Sequence, residues 1–254
     1  MNIVCIDYLP QNAKKYGKDF AIIAVDVIRA TTTIVTAVAL GRRCFVVPSV
    51  RAAYRLADRL PDPLLMGEVA GDVPARFDMN NSPAQLAGRT DVDRPVIVLS
   101  SSGTKLIHNA RRCGAVYLAC LRNYAAVASY VAARHAQVAV IGAGSKGEFR
   151  EEDQLCCAWI AAQLMKAGYR IRDNNTAGLI QRWESVPPTG FLVSKSVDYL
   201  KRTNQLDDLD FILSRINDID SVCTLDHDEI VTACEEVESR TSQECTSTTT
   251  QLQS

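Results

Sequence analysis

Short runs of apolar, mostly β-branched residues alternate along this chain with longer segments of helical periodicity. The runs AIIAV at 21–25, VIVL at 96–99 and VAVI at 138–141 contain no polar position. Uninterrupted apolar runs of this length are typical of parallel strands that are covered on both faces. The alternation therefore predicts βαβ units and the α/β class, as a three-layer α/β/α fold with a mixed, mainly parallel sheet.

Several helix boundaries can be predicted from the residues at the ends of the periodic segments. The segment after AIIAV ends at Gly41, and Ser49 is a suitable N-cap for the next helix. A longer helix is expected from about Glu151 to Gly168, with an apolar stripe that includes Leu155. Further helices are expected to start near Thr104, Asn123, Ser196 and Asp208.

Chain length and the distribution of apolar residues favour one domain. The 254 residues suffice for one large α/β domain, which we place at 1–234. The last stretch, 235–254, has almost no apolar content. We therefore expect it to be a polar, disordered tail.

Charge and hydropathy argue against several classes of protein. Lys and Arg number 28 against 29 Asp and Glu, and no basic stripe is present, so we expect no nucleic-acid partner. The N-terminal residues lack a signal-peptide pattern, and the longest apolar run, FAIIAV, is too short to span a bilayer. A cytoplasmic location without membrane contact is expected. None of the nine cysteines forms a C-x-x-C pair, which favours reduced, buried thiols.

Polar residues follow the predicted strands at the points where these strands end. Asp26, Arg29 and Thr31 follow AIIAV, and Glu68 follows the run LLM at 64–66. Because parallel strands place their carboxyl ends at one edge of a sheet, where α/β proteins bind ligands, we expect these side chains to converge. The same edge should receive Ser101, Ser102, Gly103 and Thr104 after VIVL, Arg122 and Asn123 after VYLA, and Gly144 after VAVI.

Acids, arginines, hydroxyls and glycine turns in one place fit a phosphate-bearing ligand together with a divalent cation. Mg²⁺ takes oxygen ligands, usually one or two carboxylates with phosphate and water, and helix N-termini favour anions. Each residue also has a structural alternative: Asp26 as a helix cap, Arg29 as its ion-pair partner, Glu68 as a solvated loop acid. The convergence, not any single residue, supports a binding site.

The loop GAGSKG at 142–147 matches the dinucleotide pattern G-x-G-x-x-G and follows a strand. Glu148, Glu151, Glu152 and Asp153 crowd the position that a pyrophosphate would take, and their charge opposes it. A nicotinamide-dependent oxidoreductase is therefore the weaker of the alternatives.

Several of these stretches resemble the 2-phosphosulfolactate phosphatase family. They are DVIRATTT at 26–33, GE at 67–68, FDMNNSP at 77–83, SSGT at 101–104, LRNYAAVA at 121–128 and GAGSKGEFREEDQLCCA at 142–158. They occur in the expected order and cover most of residues 1 to 225. The resemblance implies an α/β, Mg²⁺-dependent enzyme of the coenzyme M biosynthesis type, which hydrolyses 2-phosphosulfolactate or a similar small phosphorylated 2-hydroxy acid.

The resemblance, taken with the residues at the strand ends, gives a hypothesis for each site residue. Asp26 and Glu68, helped by Asp153, would hold Mg²⁺, while Arg29 and the amides of residues 101–104 would hold phosphate or carboxylate. Water attack with Glu68 or Asp78 as the base and a covalent aspartyl-phosphate on Asp26 both stay open. By resemblance, Asp78, Asn81 and Ser82 also line the site, whereas their structural alternative is an Asx-turn.

Two positions depart from the family's pattern. Asn80 stands where Gly is expected, which we interpret as tolerated because Asn accepts left-handed backbone angles, and Ser102 stands where Asn is expected. The second change places a hydroxyl at a predicted substrate position, so a non-catalytic binder of a phosphorylated metabolite is a further alternative. Related α/β enzymes often pair, so a homo-oligomer is also open.

Overall fold

A computed structural model describes residues 1–233, so the tail predicted for 235–254 and Cys234 lie outside the described residues. The strands are β1 Ile3–Tyr8, β2 Ala21–Val25, β3 Cys44–Val46, β4 Leu64–Gly67, β5 Val96–Leu99, β6 Ala115–Ala119, β7 Gln137–Gly142, β8 Arg170–Ile171, β9 Cys223–Asp226 and β10 Glu229–Thr232. The helices are α1 Ala30–Ala39, α2 Val50–Ala57, α3 Pro83–Ala87, α4 Gly103–Ala110, α5 Tyr124–Ala132, α6 Glu151–Lys166, α7 Asn174–Trp183, α8 Lys195–Arg202 and α9 Leu206–Leu213.

All of these strands join one sheet, in the order β4-β5-β3-β10-β9-β6-β2-β7-β1-β8. The strands β6, β2, β7, β1 and β8 form one parallel block, and β4, β5 and β3 form a second. The hairpin of β9 and β10 joins the blocks through three antiparallel pairings. The predicted α/β class with a mixed, mainly parallel sheet is confirmed.

The two parallel blocks run in opposite directions, because the hairpin reverses the sense of the sheet three times. The single-edge reasoning from sequence is therefore wrong for this sheet, although the carboxyl ends of β2 and β5 still meet. A normal twist of about 20–25° per strand, over the five steps from β5 to β2, turns the blocks by roughly 100° relative to one another. The starts of α1 and α4 are in contact, since a Cβ on Gly103 would lie 2.5 Å from the Cβ of Ala30.

Helices cover both faces of the sheet. In β2, Ile22 and Ala24 pack on one side against α1, α3 and α4, while Ile23 and Val25 pack on the other against α5 to α9. The second block packs α2 against Leu65 and the residues around it. Alternate residues of a strand thus enter different cores, which explains why AIIAV has no polar position.

The predicted helix boundaries agree with the structure to within two residues. The Ser49 hydroxyl accepts from the Ala52 amide at 3.2 Å and caps α2. Gly41 and Gly168 end α1 and α6 with φ of +79° and +93°. Neither α7 nor the hairpin was predicted, and both lie in the polar stretch where only α8 and α9 were expected.

Within residues 1–233, no helix has the length and apolar character needed to cross a bilayer. The seven cysteines of this part of the chain are free thiols, and all but Cys113 are buried. The prediction of free, buried cysteines is confirmed for six of these seven, and Cys113 is only partly buried.

Candidate functional site

A cavity of about 960 Å³ opens where the ends of β2, β4, β5 and β7 approach the N-terminal side of α8. Its lining includes eight of the predicted residues: Asp26, Arg29, Glu68, Asn81, Ser101, Ser102, Gly144 and Asp153. Five buried side-chain polar atoms in residues 1–233 lack a hydrogen-bond partner, and three of them belong to this lining: Asn81 Oδ1, Arg150 Nε and Glu152 Oε2. Unmet buried polar atoms of this kind are uncommon, and their clustering marks a ligand site.

The turn after β2 holds Asp26 in place. The amide of Asp26 donates to Thr31 Oγ1 at 2.9 Å, and this hydroxyl donates to the Asp26 carbonyl at 2.8 Å. The carboxylate accepts from the Ala30 amide at 3.1 Å. A Cβ on Gly103 would lie 2.5 Å from Asp26 Oδ2, so only glycine allows α4 to start this close to the carboxylate. Thr31 and Gly103 therefore shape the site without lining the cavity.

The turn after β5 repeats this arrangement with a serine in place of the acid. The Ser100 amide donates to Thr104 Oγ1 at 3.0 Å, and the Thr104 amide donates to Ser100 Oγ at 3.0 Å. Ser102 stands at the N-cap of α4 but makes no capping bond with its side chain. Its hydroxyl is therefore available to a ligand in the cavity that it lines.

Glu68 is held by three donors. Its carboxylate accepts from the Ser101 amide at 2.7 Å, the Ser101 hydroxyl at 2.9 Å and the Gly71 amide at 2.8 Å. Tyr199 on α8 donates to the Gly71 carbonyl at 3.2 Å, which ties this loop to the other side of the cavity. Glu68 is thus a negative charge in a fixed position, not a mobile surface acid.

Three buried acids share the floor of the cavity. Burial, together with the negative charges of Glu68 and Glu152, raises the pKa of Asp26 to about 7, although the Ala30 hydrogen bond and Arg29 lower it. Burial also raises the pKa of Asp153, with Asp26 and Glu152 adding to the shift, although the amides of Val27 (2.8 Å) and Gly144 (3.1 Å) donate to its carboxylate. Burial raises the pKa of Glu152 in the same way. These carboxylates destabilise one another when all are ionised.

Two buried arginines oppose these acids. Arg29 is 6% exposed, and its Nη1 donates to Asp208 Oδ2 at 2.6 Å and to Gln205 Oε1. Arg150 is 9% exposed, and its Nη1 donates to Glu148 at 2.6 Å while its buried Nε has no partner. Both guanidinium groups line the cavity and keep donors free for an anion.

Five further predicted site residues, besides Thr31 and Gly103, lie outside the cavity lining, because each is committed to the structure. Asp78 accepts from the Leu65 amide at 2.8 Å and lies 4.0 Å from Arg94. Ser82 caps α3 and donates to Asp208 at 2.5 Å. Arg122 pairs with Asp218, and Asn123 bonds to the backbone of residues 118 and 120. Thr104 belongs to the turn after β5 and is likewise absent from the lining.

Several cavity residues were not predicted from sequence. Glu152 had a usable signal, because it lies three residues before Leu155 and so continues the apolar stripe of α6 with a charge. Arg150 precedes this helix directly, as its N-cap residue. Residues of α8 had no signal, since they come from a polar segment that only the tertiary structure brings to the cavity. They include Lys195, Ser196, Tyr199, Lys201 and Arg202.

The glycine loop agrees with the argument from sequence against a dinucleotide site, whereas Asn80 differs from its sequence interpretation. The Gly144 amide donates to Asp153, so the carboxylate takes the position that a dinucleotide phosphate would need. Asn80 does not have a positive φ, contrary to the expected left-handed backbone. Its side chain instead accepts from the Asn81 amide at 2.6 Å and donates to Gln205 at 3.3 Å.

A family model described as 2-phosphosulpholactate phosphatase matches residues 7–228. This match spans every strand end that contributes to the cavity. The chain belongs to this family. The resemblance seen in the sequence motifs is thereby confirmed.

Curated relatives named "Probable 2-phosphosulfolactate phosphatase" show the same similarity. One from Pseudothermotoga lettingae is 38% identical over 144 residues, or 56% of this chain and 61% of the relative. One from Carboxydothermus hydrogenoformans is 31% identical over 62% of this chain and 65% of the relative. One from Deinococcus radiodurans is 32% identical over 70% and 74%. The chain thus spans a little under two thirds of the first two relatives.

Proposed function

We propose that this protein is a Mg²⁺-dependent phosphatase, which hydrolyses the phosphate ester of a small 2-hydroxy acid such as 2-phosphosulfolactate to the free hydroxy acid and phosphate. Family membership supports the reaction class. The observation that carries the proposal is the cavity itself, in which buried acids and buried arginines with unmet polar atoms lie side by side. A cation and a multiply charged anion together satisfy such a set of groups.

The acids of the cavity fit a divalent cation. Glu152 Oε2 is buried without a partner, burial raises the pKa of all three acids, and the charge of Glu152 adds to the raised pKa of both Asp26 and Asp153. Across residues 1–233 there is no complete metal site of three or more His, Cys, Asp or Glu side chains. Mg²⁺ does not need such a set, because it is normally held by one or two carboxylates with water and substrate phosphate, so Glu152 together with Asp26 or Asp153 would hold it. When bound, Mg²⁺ would neutralise charge that develops on the phosphoryl oxygens.

The cationic side chains fit the other groups of the substrate. Arg29 and Arg150 keep free donors in the buried part of the cavity, where they suit phosphate or carboxylate. Lys146, Lys201 and Arg202 are exposed residues at its mouth. A substrate with a second acidic group away from the phosphate would place this group near them.

Asp26 is the side chain best suited to the chemical step. Without a bound cation its pKa of about 7 lets it accept a proton near neutrality, whereas Asp78 lies outside the cavity and the Glu68 carboxylate already accepts from three donors. A carboxylate in this position is also a potential nucleophile. Trapping of a phosphoenzyme distinguishes the two roles, since only the nucleophile becomes labelled.

The metabolic pathway depends on the physiological substrate, and the location of the protein has to be measured in the cell. Participation in coenzyme M biosynthesis, a cytoplasmic location and assembly into a homo-oligomer are parts of the proposal that enzymology, localisation and sedimentation would each test. The Ser102 hydroxyl lines the cavity, so exchange of Ser102 for Asn should alter the order of preferred substrates.

The test is release of phosphate from 2-phosphosulfolactate, phospholactate and phosphoglycolate, with Mg²⁺ and with a chelator. We expect Mg²⁺-dependent release that Asp26→Asn abolishes, which also excludes a contaminating phosphatase. Binding of these ligands without turnover would show a non-catalytic binder and overturn the proposal. Binding of NAD(H) with no response to the phosphate esters would favour the oxidoreductase.

The cation site has a test that does not depend on activity. Glu152→Gln should weaken Mg²⁺ binding measured by calorimetry, because it removes a buried ligand charge. Glu151→Gln is the matched control, since Glu151 is the neighbouring acid of α6 and does not line the cavity. Equal Mg²⁺ affinities in the two variants would contradict the assignment of Glu152.

A further inference from the structure

One edge of the Arg29 guanidinium is anchored by α9 and by the residue that precedes it. Nη1 carries two N–H groups, and these donate to Asp208 Oδ2 at 2.6 Å and to Gln205 Oε1. Nε and Nη2 therefore keep the remaining three N–H donors, to which residues 1–233 supply no hydrogen-bond partner. The anchored edge fixes the direction in which the free edge can present itself to a ligand.

Asp208 is a buried junction between three segments that lie far apart in sequence. It is 1% exposed. Its Oδ2 receives Arg29, while its Oδ1 receives the Ser82 hydroxyl at 2.5 Å and the Ala84 amide at 3.1 Å. A single carboxylate thus joins α9 to the turn after β2 and to the start of α3.

Gln205 extends this junction to the loop before α3. Its Oε1 accepts both from Arg29 Nη1 and from Asn80 Nδ2, the latter at 3.3 Å. Asn81, the next residue of this loop, lines the cavity with its unpartnered Oδ1. Arg29 and Asn81 are therefore held relative to one another through Gln205 and Asp208.

We propose that Asp208, assisted by Gln205, is a positioning residue that orients Arg29 for the substrate's anionic group. The inference rests on the proposed function, because the measured effect is a change in kcat/KM. It extends the site to α9 and to the residue before this helix, although neither Asp208 nor Gln205 lines the cavity. Asp208 acts here through Arg29 and does not touch the substrate.

The chemistry of the junction requires a carboxylate. Asn in this place has one acceptor oxygen, so its NH₂ group would face either Arg29 Nη1 or the donors of Ser82 and Ala84. In either orientation the NH₂ group would face another hydrogen-bond donor, so one of the three segments would lose its hydrogen bond to residue 208. A misplacement of about 1 Å in a substrate-holding group lowers catalysis by up to roughly 100-fold.

The experiment is a double-mutant cycle of Asp208→Asn and Arg29→Lys, with kcat and KM measured on the best substrate. Each single variant should lower kcat/KM by roughly 10- to 100-fold, and the double variant should be little worse than Arg29→Lys alone. Asp218→Asn is the matched control, because it weakens another Arg–Asp pair outside the cavity. It should leave kcat/KM unchanged within about twofold.

Gln205→Ala keeps the test usable if Asp208→Asn does not fold, as judged by circular dichroism. It removes only a neutral acceptor and should lower kcat/KM by a few-fold in the wild-type background but not beside Arg29→Lys. Losses that multiply in either cycle, or wild-type kinetics in both Asp208→Asn and Gln205→Ala, would overturn the proposal.

Binding of inorganic phosphate, measured by calorimetry, separates this proposal from the proposed function. If the wild-type protein hydrolyses none of the esters, and Asp208→Asn lowers phosphate affinity while Asp218→Asn does not, the phosphatase proposal is refuted and the positioning role is retained. A folded wild-type protein that neither hydrolyses the esters nor binds phosphate would refute both.

Discussion

The ends of β2 and β6 are neighbouring regions of this molecule that look alike in sequence and differ in role. The two strands pair in parallel, and each is followed by a polar turn with an arginine, Arg29 in one and Arg122 in the other. Arg29 lines the cavity, whereas Arg122 does not. A position at the carboxyl end of a parallel strand is therefore not enough to place an arginine in the ligand-binding cavity.

The use of their donors separates the two arginines. Arg122 donates from Nε and Nη2 to Asp218 at 2.9 and 2.7 Å, and from Nη1 to Thr36 at 2.8 Å, and it lies over the Phe211 ring. The guanidinium of Arg29 donates hydrogen bonds within residues 1–233 through Nη1 alone. An arginine that is hydrogen-bonded through all three nitrogens serves the fold, and one with a free edge can serve a ligand.

The largest expected effect lies at the β2 end, in Asp26→Asn. This change removes a cavity carboxylate while keeping its size, and it should lower the rate by at least roughly 100-fold if Asp26 is a ligand of the cation, the base or the nucleophile. Steady-state phosphate release measures it, with the melting temperature as a check on folding. A folded variant with full activity would remove Asp26 from the site and weaken the contrast with the β6 end.

The exchange of each arginine for lysine tests the contrast directly. Arg29→Lys should lower kcat/KM by roughly 10- to 100-fold, because lysine cannot both keep the anchored edge and hold an anion in a bidentate manner. Arg122→Lys should cost about 1 to 2 kcal/mol of stability and change kcat/KM by no more than about twofold. Denaturant unfolding and kinetics on both variants give the comparison. Equal losses of activity would show that both strand ends reach the substrate.

A smaller effect, on stability alone, is expected from Asn123→Ala at the β6 end. Its side chain is fully buried, accepts from the Cys120 amide at 3.0 Å and donates to the Leu118 carbonyl at 3.1 Å. Loss of both bonds should lower the free energy of unfolding by about 1 to 3 kcal/mol. Ser102→Ala is the counterpart in the cavity, expected to affect kinetics more than stability. A kinetic defect in folded Asn123→Ala would assign the residue to the site after all.

The smallest expected effect is the pH dependence of stability without Mg²⁺. The pKa of Asp26 is raised from 3.8 to about 7 by burial and by neighbouring acids, so the folded state binds a proton that the unfolded state has already lost. Stability should therefore fall as pH rises from about 4 to above 7, and the melting temperature should be a few degrees lower at pH 8 than at pH 5.5.

Thermal unfolding in a chelator measures this slope. Asp26→Asn should flatten it, because asparagine does not titrate, while the shifted pKa values of Asp153 and Glu152 preserve part of it. No comparable change is expected from Asn123→Ala, which removes no charge. A wild-type protein that gains stability between pH 5.5 and pH 8 would contradict the raised pKa of Asp26.

The α/β class, most helix boundaries and the residues of the β2, β4 and β5 turns could be predicted from the sequence alone. These features are local: apolar runs show burial, Ser49 and Gly41 show helix ends, and Asp26 with Thr31 forms a turn within six residues. Family motifs added Asn81 and Asp153, which the cavity does include.

Only the tertiary structure decided which polar residues share the cavity. The hairpin of β9 and β10 reverses the direction of the block formed by β4, β5 and β3. The helices α8 and α9 come from a segment with no motif, yet they bring Lys195 and Asp208 to the site region. Whether Arg122 or Arg29 keeps a free edge depends on Asp218 and Asp208, more than 90 residues away in each case. Such long-range partners leave no periodic trace in the sequence, because a hydrogen bond constrains two side chains and not the residues between them.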